Sequence, residues 1–399
     1  MAFVPAEVFV DRQRKVRGHL VEHELAALLV SDPDHFYMLT GFHLDVAPWE
    51  RPVAAVIPAR GEPFLIMNEL STHHLRMAQE RGTLHVADYA IYVEHPRSVR
   101  RTFTRDRWLE LLATRLRSQA GFNRGRLAAD RPSAYEALRS HLPGLTEFVD
   151  AGRFLVELRQ IKYPEELTIM RQAAALSDWG QDRYMELIRP GMLVSELDLE
   201  VARRLAIEGA SRFPQDRLEV RLWSLSGHAS CSPHGTGADC GARFERGDGV
   251  VNIIVLRLNG LVVENERTLF LGPPRAEVQR RAYVAATEAN LAGIEQFVAG
   301  NPVAEVDAAA QRVIEEHGFA DHIMHRTGHG MGIAGHDFPE DMAFNYRPLM
   351  ENEVYSCEPG IYIYGVGGFR QDDTVVVGKT RPEVLTTRTK SLEEQTVSV

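Results

Sequence analysis

The run Leu261-Val262-Val263-Glu264-Asn265-Glu266-Arg267-Thr268-Leu269-Phe270 limits the possible folds more than any other segment. Successive side chains of a strand point to opposite faces, so Glu264 and Glu266 share one face of an otherwise apolar strand. The apolar residues require a buried sheet. A carboxylate in such a place needs a partner or a function. Taken alone, such a glutamate reads as a salt-bridged or exposed side chain; its occurrence together with the segments below points to a site.

Three further segments carry the same signal. Glu358 interrupts Ser356-Cys357-Glu358-Pro359-Gly360 beside an apolar run, and Asp372 and Asp373 follow Gly367-Gly368-Phe369-Arg370-Gln371. The segment Thr327-Gly328-His329-Gly330-Met331-Gly332-Ile333-Ala334-Gly335-His336-Asp337 surrounds a histidine with glycines, which let backbone approach a ligand and leave the imidazole accessible. His329 and His336 suit ligation, proton transfer or a plain loop. His228 and His234, in Ser226-Gly227-His228-Ala229-Ser230-Cys231-Ser232-Pro233-His234-Gly235, read equally well as surface residues.

At 399 residues the chain exceeds one compact core and suits two or three domains. The first part reads as α/β, with strands at Ala26–Val30 and Val53–Pro58 and helical spacing over 105–119 and 134–142. A boundary is expected near residue 160, where Tyr163-Pro164-Glu165-Glu166 starts a long helix. Proline there loses no hydrogen bond, and the acids suit the positive helix end. That helix should run to about Leu187 and break at Arg189-Pro190-Gly191. Beyond it, strands are expected over 249–255, 261–270, 354–364 and 373–377, with helices over 277–297 and 303–317.

Composition removes several classes of function. The net charge of −10 argues against nucleic acid and anionic membranes as partners. No apolar run reaches the roughly 18 residues of a membrane helix. Met1-Ala2-Phe3-Val4-Pro5 lacks the pattern of a signal peptide, so a cytoplasmic protein is expected. Three cysteines, Cys231, Cys240 and Cys357, form no C-x-x-C pair and are expected as buried free thiols.

The order of these segments resembles the pita-bread family, which includes methionine aminopeptidase, prolidase and creatinase. Phe36-Tyr37-Met38-Leu39-Thr40-Gly41-Phe42 resembles its N-terminal domain. The Ile161-Lys162-Tyr163-Pro164-Glu165-Glu166 entry, the G-H-G-M-G loop, the C-E-P-G strand and the closing F-R-Q-D-D-T resemble its catalytic domain. The resemblance covers essentially the whole chain. It implies an α+β fold with a small α/β N-terminal domain over 1–160 and a pita-bread catalytic domain over 161–399.

Peptidases of that family hold two metal ions with Asp, Asp, His, Glu and Glu. With Gly260 and Arg267-Thr268 as anchors, those positions fall at Ile253, Glu264, His329, Glu358 and Asp372. Ile253 cannot bind a metal, and neither neighbour, Asn252 or Ile254, restores a carboxylate. Glu266 is additional to the peptidase pattern. It resembles the glutamate that precedes Arg-Thr in metal-free creatinase, and His234 matches a histidine near creatinase's substrate. Asp372 departs from creatinase, which has a histidine there.

Within the family the chain resembles the bacterial ectoine hydrolases. That implies metal-independent hydrolysis of ectoine, a cyclic amidinium with one carboxylate, without a cofactor. Glu266 is then the base or the nucleophile, Glu358 and Asp372 hold ring N–H groups, and His234 or His329 protonates the departing nitrogen. Glu264, His228 and His336 are placed at the substrate. The resemblance also implies a homodimer in which Trp49 and Arg51 reach a partner's site. Hydroxyectoine is a second possible substrate, and a deacetylase would consume the product. Three alternatives stay open: an Xaa-Pro metallopeptidase with one ion on Glu264, His329, Glu358 and Asp372; a hydrolase of creatine or another guanidino acid; and a non-catalytic protein-binding domain.

Overall fold

The computed structural model describes residues 3–93, 104–235, 237–337 and 342–399; Met1 and Ala2 of the N-terminal segment lie outside them. The chain divides into two compact units, Phe3–Arg159 and Gln160–Val399.

The first unit is built on a six-stranded sheet. Its strands are β1 (Leu25–Val30), β2 (Ala54–Pro58), β3 (Phe64–Asn68), β4 (Asp88–Tyr92), β5 (Gly125–Ala129) and β6 (Leu145–Asp150), in the order β4-β3-β2-β1-β5-β6. The pairs β1–β2 and β2–β3 are antiparallel, and the other three pairs are parallel. Four helices belong to this unit: α1 (Ala6–Glu22), α2 (Pro33–Thr40), α3 (Thr72–Arg81) and α4 (Thr104–Ser118). The sequence names α2 plainly. Asp32 accepts from the N–H groups of Asp34 and His35, Pro33 begins the first turn, and Gly41 ends the helix at φ +74°. Leu29, Val56, Phe64, Leu112 and Tyr135 belong to the core. A further helix, α5 (Gly152–Gln160), ends at the boundary between the units.

The second unit opens with α6 (Pro164–Leu187). Glu166 closes its first turn by accepting the N–H of Tyr163 at 3.1 Å. After α7 (Val194–Arg212) come β7 (Leu218–Ser226), β8 (Gly249–Leu258) and β9 (Leu261–Leu271). Asn259 and Gly260 join β8 to β9 at φ +46° and +86°, the left-handed pair that a tight two-residue hairpin requires. Helices α8 (Glu277–Glu295) and α9 (Val303–Glu316) follow, then β10 (Val354–Cys357), β11 (Gly360–Ile363), β12 (Gly367–Arg370) and β13 (Asp372–Val376). Two short strands complete the unit: β14 (Glu383–Val384) on β13 and β15 (Thr396–Val397) on β9. The main sheet runs β10-β13-β9-β8-β7, antiparallel throughout that path.

Helix α6 is held against one side of this sheet. Gln181 donates to the carbonyls of Asn252 and Asn265 at 3.2 and 3.0 Å, and Asn265 donates to Ser177 at 3.0 Å. The opposite side of β7, β8 and β9 is left to form a cleft.

Three expectations need correction. The segment 354–364 is not one strand: Glu358-Pro359 separates β10 from β11, because proline donates nothing to a ladder. Residues 132–140 form a 3₁₀ helix that starts at Pro132, rather than an α-helix over 134–142. Only Cys357 is a buried thiol; Cys240 is exposed and Cys231 lies between. No helix among the described residues is long and apolar enough to cross a membrane.

Candidate active site

Pairing register, more than any loop, assembles the site. Trp223 on β7 pairs with Ile253 on β8, Ile253 pairs with Glu266 on β9, and Glu266 pairs with Asp372 on β13. Two residues along, Arg221 pairs with Val255 and Val255 with Glu264. Both rows face a cavity of ≈ 530 Å³, which Trp223, Ile253, Arg221, Val255, Glu264 and Glu266 help to line. Asn252 faces the other way, its side-chain oxygen accepting from Ser224 at 3.0 Å. The residue beside Glu266 is thus Ile253, 1% exposed and packed with Leu225 and Val251.

The glycine-flanked histidine is delivered by backbone. Ser356 N–H donates to the His329 carbonyl at 2.9 Å, and Glu358 N–H donates to the Thr327 carbonyl at 2.6 Å. A side chain on Gly328 would meet the Ser356 carbonyl at 2.0 Å, so the close approach of loop and strand demands glycine there. His329 Nδ1 lies 3.2 Å from the Gly330 carbonyl, which makes it the donor of that contact. Nε2 then faces Glu264 at 3.4 Å and Glu358 at 3.3 Å. Burial alone would lower the imidazole, but the two carboxylates outweigh it and hold His329 well above its ordinary value. The imidazole thus sits between two glutamates that favour its charged form. His336 stacks on His329 at 3.7 Å between ring centroids; burial and the charge of His329 both depress it.

Glu266 meets a different cation. Arg370, 4% exposed, grips it with two nitrogens, Nη2 at 2.8 Å from Oε1 and Nε against Oε2. Arg370 also donates to the Pro233 carbonyl at 3.1 Å and to the Tyr362 hydroxyl at 3.0 Å. Nε2 of His325 lies 2.7 Å from that hydroxyl, and Nδ1 lies 2.7 Å from the Arg326 carbonyl. Burial, more than any charge, keeps His325 below its ordinary value; its Nδ1–H serves the carbonyl and Nε2 accepts from Tyr362. Burial also raises Glu266. Glu358 and Glu264 add to the rise, Arg370 opposes it, and the carboxyl settles at about 7. Glu358 goes the other way: the hydrogen bond from His329 and the nearby positive charges overcome burial and hold it below the usual carboxylate range.

Asp372 and its neighbour have opposite fates. Asp373 points to the back of the sheet and is neutralised by Arg267 at 2.7 Å and Lys390 at 2.6 Å. Asp372 is fully buried on the cleft side, and neither carboxyl oxygen has a hydrogen-bond partner. Burial first, then the charges of Glu266, Glu358 and Glu264, push it well above the carboxylate range, towards its protonated form. Asn is nearly isosteric with that form. Asp372→Asn is therefore expected to be at least as stable as wild type at neutral pH and to gain on it as pH rises, because the amide has no proton to lose on unfolding. A loss of several kcal/mol in denaturant titration would mean that Asp372 is ionised and paired.

The structure gathers Glu264, Glu266, His329, His336 and Glu358 around one cavity, with His234 exposed on its wall and Asp372 behind Glu266. His228 is not part of that wall; its ring is edge-on to Tyr364 at 5.0 Å. Trp49 and Arg51 belong to the other unit, Trp49 being 84% exposed and Arg51 paired with Glu50. The sequence reading missed Arg370, Tyr362, His325, Trp223 and Arg221. Arg370 was open to discovery, since it precedes Asp372 by two in an extended segment and so shares its face. Arg221 and Trp223 lie on a strand that the sequence did not suggest.

The family's two-ion arrangement does not fit these residues. Ile253 offers no donor at the position that corresponds to the family's first aspartate. Among the described residues, no group of three or more His, Cys, Asp or Glu is arranged to hold a metal ion. What remains is an acidic cleft with a buried arginine, Arg370, and a histidine, His329, set among its acids.

Comparison with known proteins gives the chain a setting. The pattern of metallopeptidase family M24 matches residues 168–379, and that of the creatinase/prolidase N-terminal domain matches residues 12–161. A protein of Pyrococcus furiosus named Xaa-Pro dipeptidase is 32% identical over 246 residues, 62% of this chain and 68% of its own length. Putative dipeptidase YkvY of Bacillus subtilis is 29% identical over 96% of this chain and 99% of its own. The crystal structure of dipeptidase PepE from Mycobacterium ulcerans superposes over 100% of both chains with a TM-score of 0.81 at 26% identity. The N-terminal domain of FACT complex subunit SPT16 from chickpea, at 16% identity and a TM-score of 0.75 over 99% of this chain and 100% of its own, shares the fold.

Proposed function

The chain belongs to metallopeptidase family M24, with a creatinase/prolidase N-terminal domain before a pita-bread catalytic domain, and from that membership we propose a metal-independent hydrolase that opens the ring of ectoine to N-acetyl-2,4-diaminobutyrate. Hydrolysis is the coarser statement that the family supports. One observation carries the finer one: Ile253 stands beside Glu266 where the two-ion pattern needs an aspartate, and the extra glutamate is gripped by Arg370. Three carboxylates, Glu264, Glu266 and Glu358, face two cations, His329 and Arg370. The excess of negative charge suits a substrate with one positive charge, and an amidinium carbon is electrophilic without a Lewis acid.

The reaction takes the following course. Ionised Glu266 attacks the amidinium carbon, or takes a proton from the water that does. An oxygen–carbon bond forms and one ring carbon–nitrogen bond breaks. His329, as an imidazolium, or His234 gives the departing nitrogen its proton. Glu358 accepts a ring N–H, and Asp372, buried behind Glu266 and away from the cavity wall, acts on that carboxylate rather than on the ring. Water supplies the acetyl oxygen, and the product is an amide and an ammonium group. Trp49 and Arg51 of a second copy would close the cleft in a homodimer. A deacetylase would be the next enzyme to act on this product.

A second reading, an Xaa-Pro dipeptidase, is favoured by the names of the relatives and by the four retained residues Glu264, His329, Glu358 and Asp372. Mass spectrometry of ectoine after incubation with chelator-treated protein separates the two. We expect a gain of one water at full rate without metal. No gain, with proline dipeptides cut only after manganese is added, would overturn the amidine reading.

A further inference from the structure

The two rows across the sheet end differently from how they begin. In the row Glu264–Val255–Arg221 an acid and an arginine sit two strands apart, with an aliphatic side chain between them. Neighbouring strands are about 4.8 Å apart, so the two backbones are separated by roughly 10 Å. In the adjacent row Glu266–Ile253–Trp223 the acid and the aliphatic recur, and an aromatic takes the place of the arginine. The guanidinium of Arg221 lies 4.7 Å from the centroid of the Trp223 ring, which directs it along the wall. The other arginines of this edge differ. Arg217 and Arg257 both approach Glu219, at 3.0 and 3.9 Å. Among the described residues Arg221 has no carboxylate partner, although it is exposed and lines the cavity.

We infer that the cleft recognises a zwitterion, with Arg221 binding the substrate's carboxylate opposite the acids that hold its cationic end. This inference rests on the amidine reading and deepens it: Arg221 supplies the counter-charge from within the catalytic unit itself. Trp223 positions the guanidinium, and Ile253 and Val255 provide the apolar floor under the carbon skeleton between the two charged ends. A neutral amide or an amidine without a carboxylate would lose half of the recognition.

The test compares wild type, Arg221→Ala and Arg221→Lys on ectoine and on its carboxamide, which keeps the ring and loses the negative charge. On ectoine, Arg221→Ala should raise KM about 10- to 100-fold, as expected for loss of a charge-assisted contact, with the change in KM far larger than that in kcat. Arg221→Lys should recover most of the loss. On the carboxamide all three proteins should show the same KM. An unchanged KM for ectoine in Arg221→Ala, or an equal rise for both compounds, would overturn the inference and leave the amidine reading standing. Failure of wild type to open either ring would overturn the amidine reading, and this inference with it.

Discussion

Glu266→Gln is expected to abolish turnover, lowering kcat by about a thousandfold or more while the protein stays folded. The amide keeps the shape of the side chain and still accepts a hydrogen bond from Arg370. It cannot attack a carbon or take a proton from water. Binding should survive better than turnover, because Glu264 and Glu358 remain to face the amidinium. Single-turnover kinetics would show this as a lost chemical step at nearly intact affinity. A variant with near wild-type kcat would remove Glu266 from the mechanism.

Arg370→Gln should produce the second large effect. Arg370 is the one group in contact with Glu266 that lowers its carboxyl, against burial and two neighbouring acids. Removing one partner of a buried charge pair costs about 3–5 kcal/mol. The pH dependence fixes the sign. In wild type Glu266 must lose its proton to act, so activity should be half-maximal near the value of about 7 and fall about tenfold per unit below it. Without Arg370 the carboxyl rises further, and the acid limb of kcat/KM moves to higher pH. Stability follows linkage: a carboxyl raised in the folded state binds its proton more tightly there than in the unfolded chain. Its destabilising effect therefore appears as pH rises from the unfolded value through the folded one. Arg370→Gln should accordingly lose less stability at pH 6 than at pH 9. Equal losses at both would mean that Arg370 acts by packing alone.

Much of the architecture was legible because it rests on local chemistry. Pro164, Glu165 and Glu166 marked the start of α6, and alternation placed Glu264 and Glu266 on one face. The pairing of those glutamates with His329 and Glu358 was not local, and only the family resemblance brought them together in advance. Strand β7 was overlooked although Leu218-Glu219-Val220-Arg221-Leu222 alternates as a half-exposed strand should. With it went the arginine and tryptophan at the far side of the cleft. Arg370 stood in a quoted motif, yet its partner across the sheet follows from register, which no single segment encodes. The break at Pro359 was visible as a residue and misread as part of a continuous strand.

The rows across β7, β8, β9 and β13 have a consequence for how such a protein diverges. Pleat alternates every residue, so one residue inserted into β8 or β9 would turn Ile253 or Glu266 towards α6 and bring a neighbour into the cleft. Strand length is therefore frozen, while the identity of each cleft-facing residue is free to change without disturbing the layer behind it. Divergence in this architecture should proceed by point replacement at fixed coordinates. Insertion libraries should find these strands intolerant, so that new chemistry enters by exchanging letters along a line of unaltered length.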